Sequence, residues 1–328
     1  PTPSPTRPVI DLTVDHLEAT QGLQDRDNLI RLVAGKPAYL RVYVTGDRYP
    51  YKAVGDVRAT LDGVPLSPST YPLKEVTRNT DLSHMEVRKD VRHTMNCILP
   101  SAWLQRPGRL ELIATVAPQG ANDPNQADNE GRATLEIESS PPLHIQAVQV
   151  LDGGTGALNG VGPSYEDYYG IEMLAQHMYP VAKIWLHPAK QAIDWNDEIL
   201  VFVGLWWVQL LDRAPGPNTV TMGMVRPEAP KEHAGRGNDQ RQCWVELSSW
   251  RELYAAHEMG HCFGMDHVHC SDEPPPFEPY IFPLDQISWG GVDDYWGLTM
   301  RQSPPGVLPG AEWTDVMSYC DDQWISSY

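Results

Sequence analysis

The sequence predicts a multidomain fold: an antiparallel β-sandwich over residues 9–140, then an α/β (α+β) domain over residues 141–328, after a Pro/Ser/Thr-rich spacer at residues 1–8. Three observations lead there. Short β-rich runs separated by turn signals fill the first part, the pair Pro141 and Pro142 interrupts that pattern, and strands alternate with helical stretches beyond it.

Taken in order, the runs LIRLVAGKPAYLRVYVTGD, VRATLDGVPL, GRLELIATVAP and GRATLEIES carry no helical period. Their spacing is that of an immunoglobulin-like (Ig-like) sandwich, with a β-meander inside a larger α+β domain as the alternative. After the seam a strand is expected at about Leu143 to Leu151, a helix from Tyr165 to Met178, and then the strand AKIWLHP. The run ILVFVGLWWVQLL, Ile199 to Leu211, is too short to span a bilayer and has acidic flanks, so it reads as a buried helix or strand. NTVTMGMV and QCWVEL are the next strands.

A chain of 328 residues can bury sizeable cores. Its 25 Lys and Arg against 43 Asp and Glu give a formal net charge of −18 without a basic run, which makes nucleic acid and anionic membranes poor partners. No transmembrane segment is expected, and the chain is expected to be a monomer. The opening PTPSPTRPVIDL is not a signal peptide; a chain trimmed of a leader, or excised from a longer secreted protein, would begin this way. Five cysteines form no CxxC pair and are too few for a disulfide scaffold.

The chemistry concentrates in HEMGHCFGMDHVHC, from His257 to Cys270. The preceding residues predict a helix from about Trp250 to Cys262, opened by a capping box of Ser249 and Glu252, with Leu253, Ala256, Met259 and Gly260 facing inward. His257 and His261 lie one turn apart on one face and can ligate a single metal ion. On a continued helix His267 would sit about 120° away around the axis. The helix must therefore stop, and Gly264 is placed to stop it by taking the left-handed conformation. Glu258 is spaced to stand beside the metal without ligating it, the position of a general base. Three neutral imidazoles and an open fourth position describe a catalytic Zn2+ site.

HEMGHCFGMDH, together with TDVMSYC from Thr314, resembles the HExxHxxGxxH signature and Met-turn of metzincin-type zinc metallopeptidases. The resemblance covers roughly residues 143–328 and implies a metzincin-like catalytic domain there. It implies His257, His261 and His267 as zinc ligands, Glu258 as general base, and Met317 as a packed floor beneath the histidines. It gives Tyr319 the part of a residue that ligates zinc or stabilises the tetrahedral intermediate. It also implies that the region from Val220 onward forms the edge strand against which an extended substrate pairs, with QCWVEL as the other candidate. Val268 departs from the residue that several branches carry after the third histidine. HVHCSDEPP and VMSYCDDQW are similar to pappalysin-like enzymes, whereas a sandwich ahead of the catalytic domain resembles secreted bacterial glycoprotein-cleaving members.

Cys270 closely follows the third ligand and Cys320 directly follows Tyr319, so both fall near the metal loop. A Cys270–Cys320 disulfide clamping that loop to the Met-turn is expected, and with it an oxidising, extracellular setting. Cys262 is expected to be a buried thiol or a partner of Cys243, leaving Cys97 over, and His269 is expected to face solvent or hydrogen-bond locally rather than to ligate the metal. The acidic segment NDPNQADNE and the pair Asp293 and Asp294 raise the question of Ca2+, but neither matches an EF-hand loop and both read as solvated turns. The expected function is a secreted zinc endopeptidase acting on protein or glycoprotein. The alternative is a carbohydrate- or protein-binding adhesin module on a zinc-stabilised scaffold, and a third reading is an exopeptidase or non-peptide hydrolase.

Overall fold

The computed structural model describes residues 7–152, 163–195, 198–212, 216, 218–225, 234–268, 281–282 and 285–327. It divides into two units, Pro1–Ser139 with Gln286–Trp313 and Ser326–Tyr328, and Ser140–Asp285 with Thr314–Ile325. The first break falls beside the predicted seam. The second domain, however, is not the continuous stretch 141–328, because Gln286–Trp313 belongs with the first unit.

The first unit opens with β1 (Leu12–Thr20), the short strands β2 (Leu23–Gln24) and β3 (Leu32–Val33), β4 (Tyr39–Gly46) and β5 (Tyr51–Leu61). Short strands β6 (Val64–Pro65), β7 (Tyr71–Pro72) and β8 (Val76–Arg78) lead into helix α1 (His84–Arg88), followed by β9 (Met95–Ile98), β10 (Gly108–Pro118) and β11 (Glu130–Glu138). Helix α1 was not expected from the sequence. It forms because Ser83 and Glu86 cap each other reciprocally at its start.

Two sheets result, β1-β4-β9 and β3-β11-β10-β5-β6, with β7 and β8 also on β5. Strand β11 shows the period of two that a half-buried strand requires: Ala133, Leu135 and Ile137 are buried while Arg132, Thr134, Glu136 and Glu138 are exposed. These inward residues share one core with Leu110 and Leu112 of β10, Leu12 and Leu17 of β1, Leu40 and Val42 of β4, and Trp103. A shared core between two sheets is a sandwich. The segment NDPNQADNE staples its first strand, since Asp123 accepts the Leu12 amide at 3.1 Å and Asp128 the Thr13 hydroxyl at 3.0 Å.

The returning segment is held by pairing and by one buried cation. Trp296–Thr299 pairs antiparallel with β2 and with Gly306–Leu308. Arg88, 1 % exposed, donates to the carbonyls of Val292 (2.5 Å), Asp294 (2.6 Å) and Gln24 (3.1 Å), pairs with Glu18 at 3.3 Å and lies 4.8 Å over the Trp296 ring. A buried guanidinium persists only when its donors are satisfied in this way.

The second unit runs β12 (Leu143–Asp152), α2 (Tyr165–Met178), β13 (Ile184–Trp195), α3 (Glu198–Leu211), β14 (Thr219–Val225), β15 (Gly235–Asn238), β16 (Gln242–Glu246) and α4 (Arg251–Cys262). Its sheet has the order β13-β12-β14-β16-β15. The β12–β13, β12–β14 and β14–β16 pairs are parallel, and β15 joins the edge antiparallel. The edge lies within the region from Val220 onward, as expected, but not in its first strand, and QCWVEL, the other candidate, is not the edge. Every residue of β14 is buried, as befits an interior parallel strand, and β16 has a neighbour on each side. The edge is the GRGN segment inside the Gly-rich stretch that follows β14.

Helices cover both sheet faces. On β16, Trp244 packs with Val201, Leu205 and Val208 of α3, whereas the next-door Cys243 lies beside Cys262 of α4. Successive strand residues point to opposite faces, so α3 and α4 lie on opposite sides. The apolar run at Ile199 to Leu211 is thus a helix, but not a buried one: Leu200, Val203, Trp206, Trp207, Leu210 and Leu211 are all exposed. No helix among the described residues is long and apolar enough to cross a membrane.

Candidate metal centre

Helix α4 presents the first two histidines, but it does not start as the sequence suggests. Trp250 is the N-cap and makes no side-chain cap bond, so the Ser249–Glu252 capping box does not form. Glu252 instead lies where a side chain on Gly170 of α2 would be, and Arg251 pairs with Asp167 of α2 at 2.7 Å. The first turn of α4 is used to dock on α2. Within the helix Ala256, Met259 and Gly260 are buried as expected, while Leu253 is half-buried.

The C-terminus ends as the glycine predicts. Gly264 has φ +84°, its amide bonds the His261 carbonyl at 3.0 Å, and the Met265 amide bonds the Gly260 carbonyl at 3.0 Å. Those two bonds are the 5→2 and 6→1 pair of a Schellman motif, and they turn the chain back so that His267 returns to the helix. A Cβ on Gly264 meets no atom within 4 Å, so Gly264→Ala carries backbone strain alone. It should cost about 1 kcal/mol in denaturant unfolding, with Gly264→Asn recovering most of it; equal stability of all three chains would refute the assignment.

The returning loop brings the three imidazoles together. One ring nitrogen each of His257, His261 and His267 lies within 4.8 Å of the others, and among the described residues this is the only group of three or more metal-ligating side chains so gathered. His257 is buried, His261 intermediate and His267 exposed. His257 Nδ1 lies 2.8 Å from the Val316 carbonyl and His261 Nδ1 lies 2.9 Å from the Met265 carbonyl. A carbonyl can only accept, so both Nδ1 atoms donate, and both Nε2 atoms offer a lone pair to the common centre. His261 Nε2 and His267 Nε2 approach to 2.9 Å.

These nitrogens fit a metal ion on an observation independent of motif. His257 Nε2 is buried and has no hydrogen-bond partner among the described residues. A buried acceptor aimed at two further imidazole nitrogens is the donor set of a borderline-soft divalent cation. The acidic segment and the Asp293–Asp294 pair do not gather a comparable set among the described residues. Asp293 pairs with Arg26 at 3.0 Å and Asp294 accepts the Gly291 amide at 2.6 Å, so Ca2+ gains no support there.

Burial, reinforced by the neighbouring His261 and His267, pushes the His257 imidazole down from 6.5 to about 4, against the opposing bond to Val316. In the metal-free chain, unfolding therefore takes up a proton between these values. The stability owed to this group is complete above about pH 6.5 and is lost as pH falls to about 4. The loss should be on the order of 3 kcal/mol, read as the difference between the pH–stability curves of the apo parent and apo His257→Gln. Parallel curves would overturn it.

Met317 is 1 % exposed, and its Sδ occupies the space that a side chain on Gly260 would need, directly against the metal-bearing helix. Its loop is set by Asp315, whose carboxylate accepts the Met317 amide at 2.6 Å, and is tied to the third-ligand segment by Val268 N–H to the Met317 carbonyl at 3.0 Å. Tyr319 is 74 % exposed; its hydroxyl lies 2.7 Å from His267 Nε2, and its ring sits 5.2 Å from that of His257. Burial and the nearby Glu258 raise the Tyr319 phenol above its usual range. Glu258 itself is 7 % exposed, between the two helical histidines.

Two contributors escaped the sequence reading. Gly235 and Gly237 of β15 lie against α4: a Cβ on Gly235 would fall 2.7 Å from Glu258 Cγ, and one on Gly237 would strike the Glu258 carbonyl and stand 2.8 Å from His261 Cβ. Alternate glycines at a strand edge were the available signal. Tyr179, just past α2, donates to the Ala256 carbonyl at 2.5 Å and packs its ring on Phe263 at 5.3 Å, bracing α4 from below. Nothing marked it in the sequence.

Cys320 is disulfide-bonded, whereas Cys97, Cys243 and Cys262 are free and buried. The Cys243–Cys262 disulfide does not form; both are buried free thiols. The expected partner Cys270, and His269, lie outside the described residues.

No protein-family model matches this chain, and no curated protein does. Among solved structures, the crystal structure of the CARDB domain of the PF1109 protein from Pyrococcus furiosus, in complex with di-metal ions, is similar at 15% identity. It covers 41% of this chain and 94% of that one, with a TM-score of 0.25. A solution structure of the same domain gives 15% identity, 40% and 96% coverage and a TM-score of 0.23. At that overlap the likeness decides neither fold nor function, which rest on the geometry above.

Proposed function

We propose that the chain is a zinc-dependent endopeptidase of the metzincin type, acting on extended polypeptide or glycoprotein segments. The observation that carries this reading is the convergence of three oriented imidazoles, with Glu258 between two of them and Tyr319 over the third. His257, His261 and His267 hold the ion. When bound, zinc supplies Lewis acidity and brings the pKa of a coordinated water to about 7.

The rest is done by the chain's own groups. Glu258 accepts the proton of the attacking water and returns it to the departing amine, the two-way transfer that a buried carboxylate beside the reacting centre performs. Tyr319, whose hydroxyl now rests on His267, donates to the substrate oxygen as charge develops on it. The substrate strand adds to β15, the antiparallel edge of the sheet, where Gly235 and Gly237 bring the backbone against Glu258 and His261. The disulfide at Cys320 supports an oxidising, extracellular setting.

The test is mass-spectrometric mapping of new termini after a mixed set of proteins and glycoproteins is incubated with the zinc-loaded chain, with Glu258→Ala as control. Internal cuts that depend on Glu258 are expected. No new termini at one zinc per chain would overturn the endopeptidase reading, and products shortened one residue at a time would replace it with an exopeptidase.

A further inference from the structure

A cavity of about 520 Å³ lies on the α3 side of the sheet edge, lined by Phe202, Val203 and Trp206 of α3, by Arg236 and Asn238 of β15 and by Gln242 of β16, among others. It is on the opposite sheet face from the metal centre. Gly235 and Gly237 face α4, so the alternate residues Arg236 and Asn238 face α3.

We propose that this cavity is a side-chain pocket of the substrate edge, taking a large apolar or aromatic side chain of the bound peptide. The inference rests on the reading that the peptide pairs with β15. In a strand added to that edge, residues opposite Gly235 and Gly237 point to the metal side, and those opposite Arg236 and Asn238 point to the α3 side, where the cavity opens. The volume accommodates any natural side chain.

The lining decides the chemistry. Its amides are engaged with one another: Asn238 donates to Gln242 (3.4 Å), Gln242 donates to Gln209 of α3 (3.0 Å), and the Asn238 carbonyl oxygen accepts the amides of Gln240 (3.0 Å) and Gln242 (3.1 Å). The surface left for recognition is mixed: the exposed faces of Val203 and Trp206 stand beside Arg236 and Gln240. Val203 and Trp206 are 44% and 48% exposed, and Trp207 meets the Trp206 ring edge-on at 5.1 Å and braces it. A large apolar or aromatic side chain entering from β15 would cover both.

The experiment measures fluorescence anisotropy of labelled peptides on the zinc-loaded Glu258→Ala chain, the peptides differing at one position that carries Ala, Asp, Leu, Phe or Trp. At one subsite Leu, Phe and Trp should bind at least about 10-fold more tightly than Ala or Asp. Trp206→Ala, and independently Val203→Trp, which fills the cavity, should abolish that preference, whereas Leu211→Ala, an exposed position of α3 outside the lining, should keep it. No apolar preference at any position, or the same preference in all variants, would overturn the pocket. Cutting of the same peptides by the parent chain reports separately on catalysis: preferential binding without cuts removes the peptidase and keeps the pocket, and cuts indifferent to residue 206 do the reverse.

Discussion

Glu258→Ala should bind zinc at one ion per chain and yet lose about 10²- to 10⁴-fold in kcat/KM against any substrate that the parent cleaves. The expectation follows from position. Glu258 lies between His257 and His261 on α4 but is not among the three residues whose ligand atoms converge, so its removal spares the donor set. Its side chain is buried beside Gly235. Metal analysis and steady-state kinetics on one preparation separate the outcomes. Zinc lost together with activity would make Glu258 a structural residue, and activity retained would remove it from catalysis.

Zinc should raise the Tm of the parent chain, by about 4 kcal/mol of stabilisation when free zinc exceeds Kd 1,000-fold, and a chelator should reverse the effect. His267→Ala is the discriminating variant. His267 is the exposed ligand, so its loss should barely change the metal-free chain, whereas His257→Ala also leaves the Val316 carbonyl without its donor inside the fold. Both variants should weaken zinc binding by more than the roughly 10- to 100-fold that loss of an outer partner costs. A zinc-induced shift surviving in His267→Ala would mean that the ion is held elsewhere.

What the sequence disclosed, it disclosed through short-range chemistry. Helix α2 is bounded at Tyr165 and Met178 as expected because Ser164 and Asp167 close a reciprocal cap next to a long amphipathic stretch. The histidine spacing and Gly264 foretold the convergence because chelate and helix stop are both local geometry. The features that escaped are tertiary. Strand β15 has four residues and no apolar one, so no periodicity reveals it. The run Ile199 to Leu211 is apolar on every side, so no pattern told its buried stripe from its exposed one. Ser249 lost the cap of α4 because Glu252 and Arg251 are drawn to α2 instead.

The detour of Gln286–Trp313 into the first unit makes the two halves inseparable as genetic parts. A fragment cut at the Pro-Pro seam and ending at Ser140 would strip Arg88 of its Val292 and Asp294 acceptors. A fragment ending at Asp285 would take Val316 and Met317 from the metal helix. Recombination that shuffles contiguous exons or gene cassettes cannot pass on either half intact, so the metal centre and the sandwich must be inherited, exchanged and engineered as one piece.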